Sequence, residues 1–363
     1  MKAEALENFA VLVRGPGQIA IEPVPTPEPK AGEVLIKTSR SLISAGTELM
    51  LAETDEGRGQ LWSMLAAVVG SSGRFGYSNV GRIVAVGEGV SPEWVGARVV
   101  NPGSHSAYVT CGVGQIFAVP DGVDDEAATF TNLATTAMNA VRRARLAWGE
   151  SVGVVGLGIL GQLTVRLCAL AGADQIFAIN RSPERLAWLP KDGTVQGIHG
   201  GLGEARERIL EHRQAPPEGL RAAGVAFRAN IESTMLRLLD VVFEVTGEPT
   251  AIPAALTLLR PQGRFVLLSS PRGATTIDFH DQCAWPSFTL IGAHTTSHPT
   301  AATRDDPWSV GRHTQLFLHW LASGRLVARD LVSHRLPYRD AAAAFELLRS
   351  RREPVMGVVL EWA

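Results

Sequence analysis

The sequence predicts an α/β protein in which an all-β region precedes a doubly wound parallel sheet. Up to about Pro120, short apolar runs such as VLIKTSRSLI and GRIVAVGEGV alternate with glycine and proline, as in a β-barrel or sandwich. From about Asp124 the apolar residues take helical spacing. From Ser151 onward strands and helices alternate, which is the pattern of a parallel sheet covered by helices.

Length and composition indicate a folded globular protein. The chain has 363 residues, which suggests two domains, and 45% of them are hydrophobic. A net charge of −2 gives no electrostatic support for binding nucleic acid or an anionic membrane. The three cysteines are isolated, no apolar run reaches the roughly 18 residues of a spanning helix, and the first residues lack the apolar core of a signal peptide. We expect a cytoplasmic location.

Local patterns predict the elements after the β-rich region. A helix should end near Gly149, and further helices should lie near Trp308–Ser323 and Ala341–Arg349. Strands are expected at Ser151–Val155, Gln175–Ile179, Asp240–Gly247, Gly263–Ser270, Phe288–Thr295 and Val355–Leu360. About 60 residues separate Asn180 from Asp240, more than one helical crossover usually needs, so we expect a partly helical surface insertion near 193–221.

A glycine motif lies between the first strand of this region and a helix. Gly156, Gly158 and Gly161 form G-x-G-x-x-G in the strand–turn–helix context that dinucleotide binding requires. The first glycine allows a tight turn, the second a close approach of the pyrophosphate, and the third close packing of helix on sheet. The alternative is a purely structural turn. The predicted cofactor-binding residues here are Gly156, Gly158, Ile159, Leu160 and Gly161, with Thr246 and Ser269 in later strand segments.

The end of the second strand predicts which dinucleotide binds. An NAD site usually has an acidic residue here to bind the ribose hydroxyls, but this chain has Asn180, Arg181 and Ser182. Asn180 does not repel a 2′-phosphate, Arg181 can pair with one, and Ser182 can donate to it. NADPH is therefore favoured over NADH, unless Arg181 is simply solvated.

Several segments in order resemble the medium-chain dehydrogenase/reductase superfamily. They are GEVLIKTSRSLISAGTE, GYSNVGRIVAVGEGV, HSAYVTCGVGQIFAVPDGVDDEAAT, AVRRARLAWGESVGVVGLGILGQL and ASGRLVARDLVSHRLPYRDAAAAFELL. The resemblance implies a GroES-like β-barrel catalytic domain at 1–140 and 297–363 and a Rossmann doubly wound parallel sheet at 141–296. It also implies a homodimer, since the last Rossmann strand, Phe288–Thr295, often pairs with its own copy in this superfamily.

The chain departs from the zinc-dependent members at the metal positions. They carry Cys-Gly-Thr/Ser-Asp where this chain has Ala45-Gly46-Thr47-Glu48, and Gly-His-Glu where it has Gly76-Tyr77-Ser78. Alanine has no donor atom, and neutral hydroxyls are poor zinc ligands. The four-cysteine lobe of those members is also missing. We expect no metal, and hydrogen bonding in place of Lewis-acid polarisation.

Hydride transfer to a carbonyl builds negative charge on oxygen, so a zinc-free site needs hydrogen-bond donors and a proton source. The catalytic candidates are Tyr77, Ser78, Asn79, Thr47, Glu48 and His105. By the resemblance, Thr47 matches a proton-relaying hydroxyl and Glu48 an acid supporting the first metal-binding loop, while His105 is a suitable proton reservoir. Each also has a structural explanation: packing for Tyr77, a buried pairing for Glu48, loop orientation for His105, and turn formation for Ser78 and Asn79.

A basic cluster follows the last Rossmann strand and could bind a polar or phosphorylated substrate. Its members are His294, His298, Arg304, Arg312 and His313, of which His294, His298 and Arg312 are the substrate candidates, and Asn101 and Trp308 could contribute to the pocket. A solvated helix start is the alternative.

These observations predict an NADPH-dependent, zinc-independent oxidoreductase, with NADH also possible as cofactor. Its substrate would be a polar ketone or the matching alcohol; resemblance alone suggests a sugar- or cyclitol-like biosynthetic intermediate. One alternative is NADPH-dependent reduction of a C=C bond conjugated to a carbonyl, as in enoyl and quinone reductases. Another is a catalytically inactive cofactor-binding protein.

Overall fold

The chain divides into two compact units. The structure, a computed structural model, describes residues 7–52, 73–213, 235–350 and 353–362. One unit comprises Met1–Thr135 and Pro299–Ala363, and the other Thr136–His298. The resemblance implied boundaries at 140/141 and 296/297. Among the described residues, no helix combines the length and the apolarity needed to cross a membrane.

Among the described residues, the first unit begins with seven strands, and one α-helix lies between the third and the fourth. The strands are β1 (Asn8–Gly15), β2 (Gln18–Val24), β3 (Glu33–Leu42), β4 (Asn79–Val86), β5 (Arg98–Asn101), β6 (Tyr108–Gly112) and β7 (Phe117–Ala118). The helices are α1 (Ala45–Ala52), α2 (Asp125–Ala128) and α3 (Thr131–Arg143), the last of which runs across the unit boundary. Strands β1 and β2 form an antiparallel hairpin.

The second unit alternates strands and helices. Its strands are β8 (Ser151–Val155), β9 (Gln175–Asn180), β10 (Val195–His199), β11 (Leu239–Glu244), β12 (Leu259–Leu267) and β13 (Thr289–Gly292). Its helices are α4 (Ile159–Leu170), α5 (Leu202–His212) and α6 (Ala251–Leu256). The sheet order is β10-β9-β8-β11-β12-β13, and every pairing is parallel. This 3-2-1-4-5-6 order is that of dinucleotide-binding sheets and confirms the predicted fold class.

The chain then returns to the first unit. The closing elements are α7 (Val310–Ala322), β14 (Val332–Pro337), α8 (Ala341–Ser350) and β15 (Gly357–Glu361). They complete a sheet of order β14-β15-β3-β4-β5-β7, with β6 also paired to β3. For the part of this unit that the structure describes, β14 and β15 pair in parallel and the other pairings are antiparallel. Inward-facing Val34, Ile36, Ile83, Val99 and Val109 form one of its cores, which explains the short apolar runs of the sequence.

The predicted surface insertion near 193–221 is wrong for the part that the structure describes, which ends at Arg213. Strand β10 pairs with β9 in parallel, and Ile198, Ala205 and Ile209 pack into the core of the second unit. These residues are therefore the third strand of the sheet and its helix. The remainder of the predicted insertion lies outside the described residues.

Candidate active site and cofactor site

The glycine motif forms a turn whose shape requires glycine at two positions. Gly156 has φ +99°, and a Cβ there would lie 2.9 Å from Thr246 Cγ2. A Cβ on Gly161 would lie 1.9 Å from the Gly156 carbonyl oxygen. Gly158 is the N-cap of α4, and a Cβ there would meet nothing within 4 Å. The free N–H groups and positive dipole end of α4 fit a pyrophosphate at this turn.

The residue that replaces the usual acid fastens this turn to the sheet. Asn180 Oδ1 accepts a hydrogen bond from Leu157 N at 3.1 Å, and its Nδ2 donates to Ser182 O at 3.0 Å. Arg181 and Ser182 are exposed beside it. His199, also exposed, ends the neighbouring strand and donates from Nε2 to Arg181 O at 3.1 Å. His199 was not predicted as a site residue, because the strand that it ends, β10, was not predicted from the sequence.

The two other predicted cofactor residues lie at the carboxyl ends of the next strands. Thr246 follows β11 and Ser269 follows β12, at the edge of the sheet that carries the glycine turn. Both hydroxyls donate to Glu244, the buried last residue of β11. Glu244 was not predicted, because one acid inside an apolar strand gives no local signal of its partners.

In the first unit, the start of α1 organises the catalytic candidates. Glu48 N donates to Ser44 O at 2.8 Å, and Ser44 N donates back to Glu48 Oε1 at 3.0 Å, which closes the first turn. The Tyr77 hydroxyl is hydrogen-bonded to Ser44 Oγ and to Thr47. Removal of this hydroxyl from water, together with the nearby Glu48 charge, raises the pKa of Tyr77 to about 12. Tyr77 is therefore a neutral hydrogen-bond donor throughout the physiological range.

Behind this group lies a buried acid–imidazole pair. His105 Nε2 and Glu48 Oε2 are 2.8 Å apart, and both side chains have no exposed surface. His105 Nδ1 lies 2.8 Å from Ser41 Oγ, and Trp362 Nε1 donates to that same oxygen at 2.8 Å. Gly76 has φ +103°, and a Cβ there would lie 2.6 Å from His105 Cδ2. Glycine before Tyr77 thus makes room for the imidazole, which can act on a reaction only through its neighbours.

The remaining two catalytic candidates have different environments. Asn79 is buried, and its amide nitrogen donates to Thr38 Oγ1 at 3.0 Å and to Ser104 O at 3.1 Å, while Oδ1 accepts from Asn101 Nδ2 at 3.2 Å. This arrangement favours a structural role for Asn79 and Asn101. Ser78 Oγ is buried and has no hydrogen-bond partner within the ranges that the structure describes.

The donors in this region do not fit a zinc ion. Ala45 offers no ligand atom, and the raised pKa of Tyr77 keeps its oxygen neutral. Across the described parts of the chain, no group of three or more His, Cys, Asp or Glu side chains is arranged to hold a metal.

The predicted basic cluster is divided between the two units: His294 and His298 lie in the second, and Arg304, Arg312 and His313 in the first. His298 and His313 are buried, so neither presents a freely solvated imidazole. The Arg312 guanidinium lies 3.7 Å from the centre of the Trp308 ring, and His313 stacks on that ring at 5.3 Å. Within the first unit, Arg312 is therefore part of an aromatic–cation stack and is exposed.

Comparison with known proteins supports the superfamily. A family model described as zinc-binding dehydrogenase matches residues 160–305. L-threonine 3-dehydrogenase of Bacillus licheniformis is 25% identical over 380 residues, which cover 94% of this chain and 96% of the relative. These matches confirm the predicted enzyme class, an NAD(P)-dependent dehydrogenase or reductase, and support the medium-chain, alcohol dehydrogenase-like superfamily.

Two solved structures from Escherichia coli share the fold. An oxidoreductase/dehydrogenase of unknown specificity has a TM-score of 0.77 at 20% identity, covering 98% of this chain and 99% of its own. A short chain alcohol dehydrogenase in complex with NADH has a TM-score of 0.74 at 18% identity, with the same coverage. The family description names zinc, whereas the donors around Tyr77 do not fit it.

Proposed function

We propose that this alcohol dehydrogenase-like oxidoreductase uses NADPH, without zinc, to interconvert a polar ketone and its alcohol. The observation that carries the proposal is the Tyr77 hydroxyl, which is hydrogen-bonded to Ser44 and Thr47 where zinc-dependent relatives have a metal-ligand sequence. A cytoplasmic location and a role in biosynthesis belong to the same proposal.

The proposed reaction needs a bound hydride donor and a source of protons. Bound NADPH would supply the hydride, and the glycine turn with Gly156, Gly158 and Gly161 would bind its pyrophosphate. As the carbonyl oxygen gains charge, Tyr77 donates its proton to that oxygen. Thr47, which is partly exposed, can return a proton to Tyr77 while its own oxygen takes one up from water.

The buried pair positions this group. Glu48 Oε1 accepts a hydrogen bond from Ser44 N, and Glu48 Oε2 is hydrogen-bonded to His105 Nε2. These two contacts keep the start of α1 fixed while Tyr77 exchanges its proton. Ser78 Oγ, buried without a partner in the described ranges, is a second donor that the substrate could engage.

Substrate panels test the proposal. NADPH oxidation should be measured with polar ketones of sugar or cyclitol type and with enones and quinones. Faster turnover of ketones is expected, because a donor to oxygen serves carbonyl reduction directly. Faster turnover of enones would favour the enoyl or quinone reductase alternative, and no oxidation with any carbonyl would favour an inactive cofactor-binding protein.

The first prediction concerns metal. Purified protein should contain well below one zinc per chain, and chelators should leave activity unchanged, because Ala45 and Tyr77 cannot provide the thiolate and imidazole of a zinc site. Elemental analysis and assays with and without chelator measure this. Stoichiometric zinc whose removal abolishes activity would refute zinc independence.

The second prediction concerns the cofactor. Arg181→Ala should weaken NADPH binding about tenfold to a hundredfold and leave NADH binding nearly unchanged, because it removes a charge-assisted contact to the 2′-phosphate. Asn180→Asp should act in the same direction by repulsion. Titration of both cofactors measures this, with the partly exposed Arg206→Ala as a control. Equal affinities of wild type and Arg181→Ala for NADPH would contradict the preference.

The third prediction concerns assembly. Strand β13 ends the sheet order and exposes Leu290 by 46%, a surface that pairing with a second copy would cover. We expect a homodimer by light scattering, and Leu290→Arg should shift it towards monomer. Val327→Arg, at an apolar position exposed by 56% in the first unit, is the control. A wild-type monomer at micromolar concentration would reject the prediction.

A further inference from the structure

Glu244 is a buried carboxylate at the carboxyl end of the parallel sheet, and it has no role in the mechanism proposed above. Glu244 has no exposed surface and ends β11, where it pairs with Val155, the residue before the glycine turn. Thr246, two residues later, would collide with a Cβ on Gly156. Glu244 is thus fixed directly beside the turn.

Within the described residues, every hydrogen bond to this carboxylate comes from a donor group. Oε1 accepts from Thr246 N at 2.7 Å and from the Thr246 hydroxyl, and Oε2 accepts from the Ser269 hydroxyl. Thr246 Oγ1 itself accepts from Glu248 N at 2.9 Å, which is consistent with its proton pointing at Glu244. A hydroxyl has one proton and two lone pairs, so both oxygens are left as acceptors.

We propose that Glu244 is a positioning residue that fixes Thr246 and Ser269 as hydrogen-bond acceptors for the nicotinamide nucleotide. The inference rests on the proposed use of NADPH. A sheet of this order consists of two halves, each of which binds one nucleotide of the dinucleotide. Here the half with the glycine motif and Asn180 would bind the adenosine nucleotide. The half with β11 and β12 would then bind the nicotinamide nucleotide. Acceptor oxygens at this edge suit the ribose hydroxyls and the carboxamide N–H groups, whereas phosphate would require donors.

Replacing Glu244 with glutamine would reverse the polarity of one hydroxyl. The amide oxygen can still accept from Thr246, but the amide nitrogen would face Ser269 as a donor. The Ser269 hydroxyl would then accept a hydrogen bond from this nitrogen, and its own proton would point towards the cofactor. Ser269→Ala removes the same acceptor without changing Glu244.

The test separates the nicotinamide side from the adenosine side. Binding of NADPH and of adenosine 2′,5′-bisphosphate, which lacks the nicotinamide nucleotide, should be titrated on wild type, Glu244→Gln and Ser269→Ala. We expect both variants to weaken NADPH about tenfold and to bind the bisphosphate as wild type does. Asp240→Asn is the matched control: Asp240 lies near the other end of β11, accepts from Ser151 N and Oγ at 2.8 and 2.7 Å, and should leave both affinities unchanged.

Unchanged NADPH affinity in both variants, or an equal loss for both ligands, would overturn the assignment. If Glu244→Gln does not fold, the same two titrations on Ser269→Ala test the assignment. Wild-type protein that fails to bind NADPH would instead refute the proposed function, so the two failures are distinguishable.

Discussion

Tyr77→Phe is expected to lower kcat by about 10²–10³ while leaving NADPH affinity unchanged. The substitution removes only the hydroxyl, and a donor aimed at a developing oxyanion typically contributes this much to the rate. The ring and its packing stay, so a loss of turnover reports on the oxygen. Steady-state kinetics on the best ketone and an NADPH titration measure the two quantities.

A second tyrosine provides the matched control. Tyr338 is buried and stacks on Trp362 with ring centres 4.8 Å apart, so Tyr338→Phe makes the same chemical change within the same unit. It should leave kcat near the wild-type value. Wild-type kcat in the Tyr77→Phe variant would assign the proton to Thr47, Ser78 or water and remove Tyr77 from the mechanism.

The pH dependence of Tyr77 has a definite sign. Its folded-state pKa, about 12, lies above the usual value of 10, so folding favours the neutral hydroxyl. The corresponding contribution to stability is fully present below pH 10 and is lost as pH rises towards 12. The kcat of the wild type should therefore show no loss from tyrosine ionisation below pH 10.

Local sequence patterns were sufficient for the parts of the fold that depend on neighbouring residues. The strand Ser151–Val155 and the glycine turn after it were predicted at their observed positions, because a fully buried strand and G-x-G-x-x-G both have local signals. Strand β10 was missed because VQGIH has little apolar pattern. Of its residues only Ile198 is buried, and its pairing with β9 places it in the sheet.

The contacts of the candidate site depend on distant residues and could not be predicted. Glu48 and His105 were both named as candidates, yet they lie 57 positions apart and meet through the folding of the first unit. Ser44 and Trp362 were missed, since nothing local marks a serine or a terminal tryptophan as part of a network. Glycine at position 76 has its reason in the same contact, because it leaves space for His105.

The buried pair provides the other large effect. Glu48→Gln and His105→Gln should each lower the free energy of unfolding by about 1–3 kcal/mol, because each leaves a buried polar partner without its hydrogen bond. The double variant should lose clearly less than the sum of the two, since it leaves neither group behind. Denaturant unfolding of the four proteins measures the coupling.

A partly exposed ion pair in the same unit is the control for the effect of burial. Asp125 contacts Arg98 at 3.0 Å with side-chain exposures of 25% and 22%, so Asp125→Asn should lower the free energy of unfolding by only about 1 kcal/mol or less.

Because His105 has no exposed surface, its substitution should lower kcat only through Glu48 and the start of α1, and Glu48→Gln should lower kcat as well. Additive losses of stability would show that the two groups are not coupled. A His105 variant with reduced kcat in a Glu48→Gln background would mean that the imidazole acts by another route.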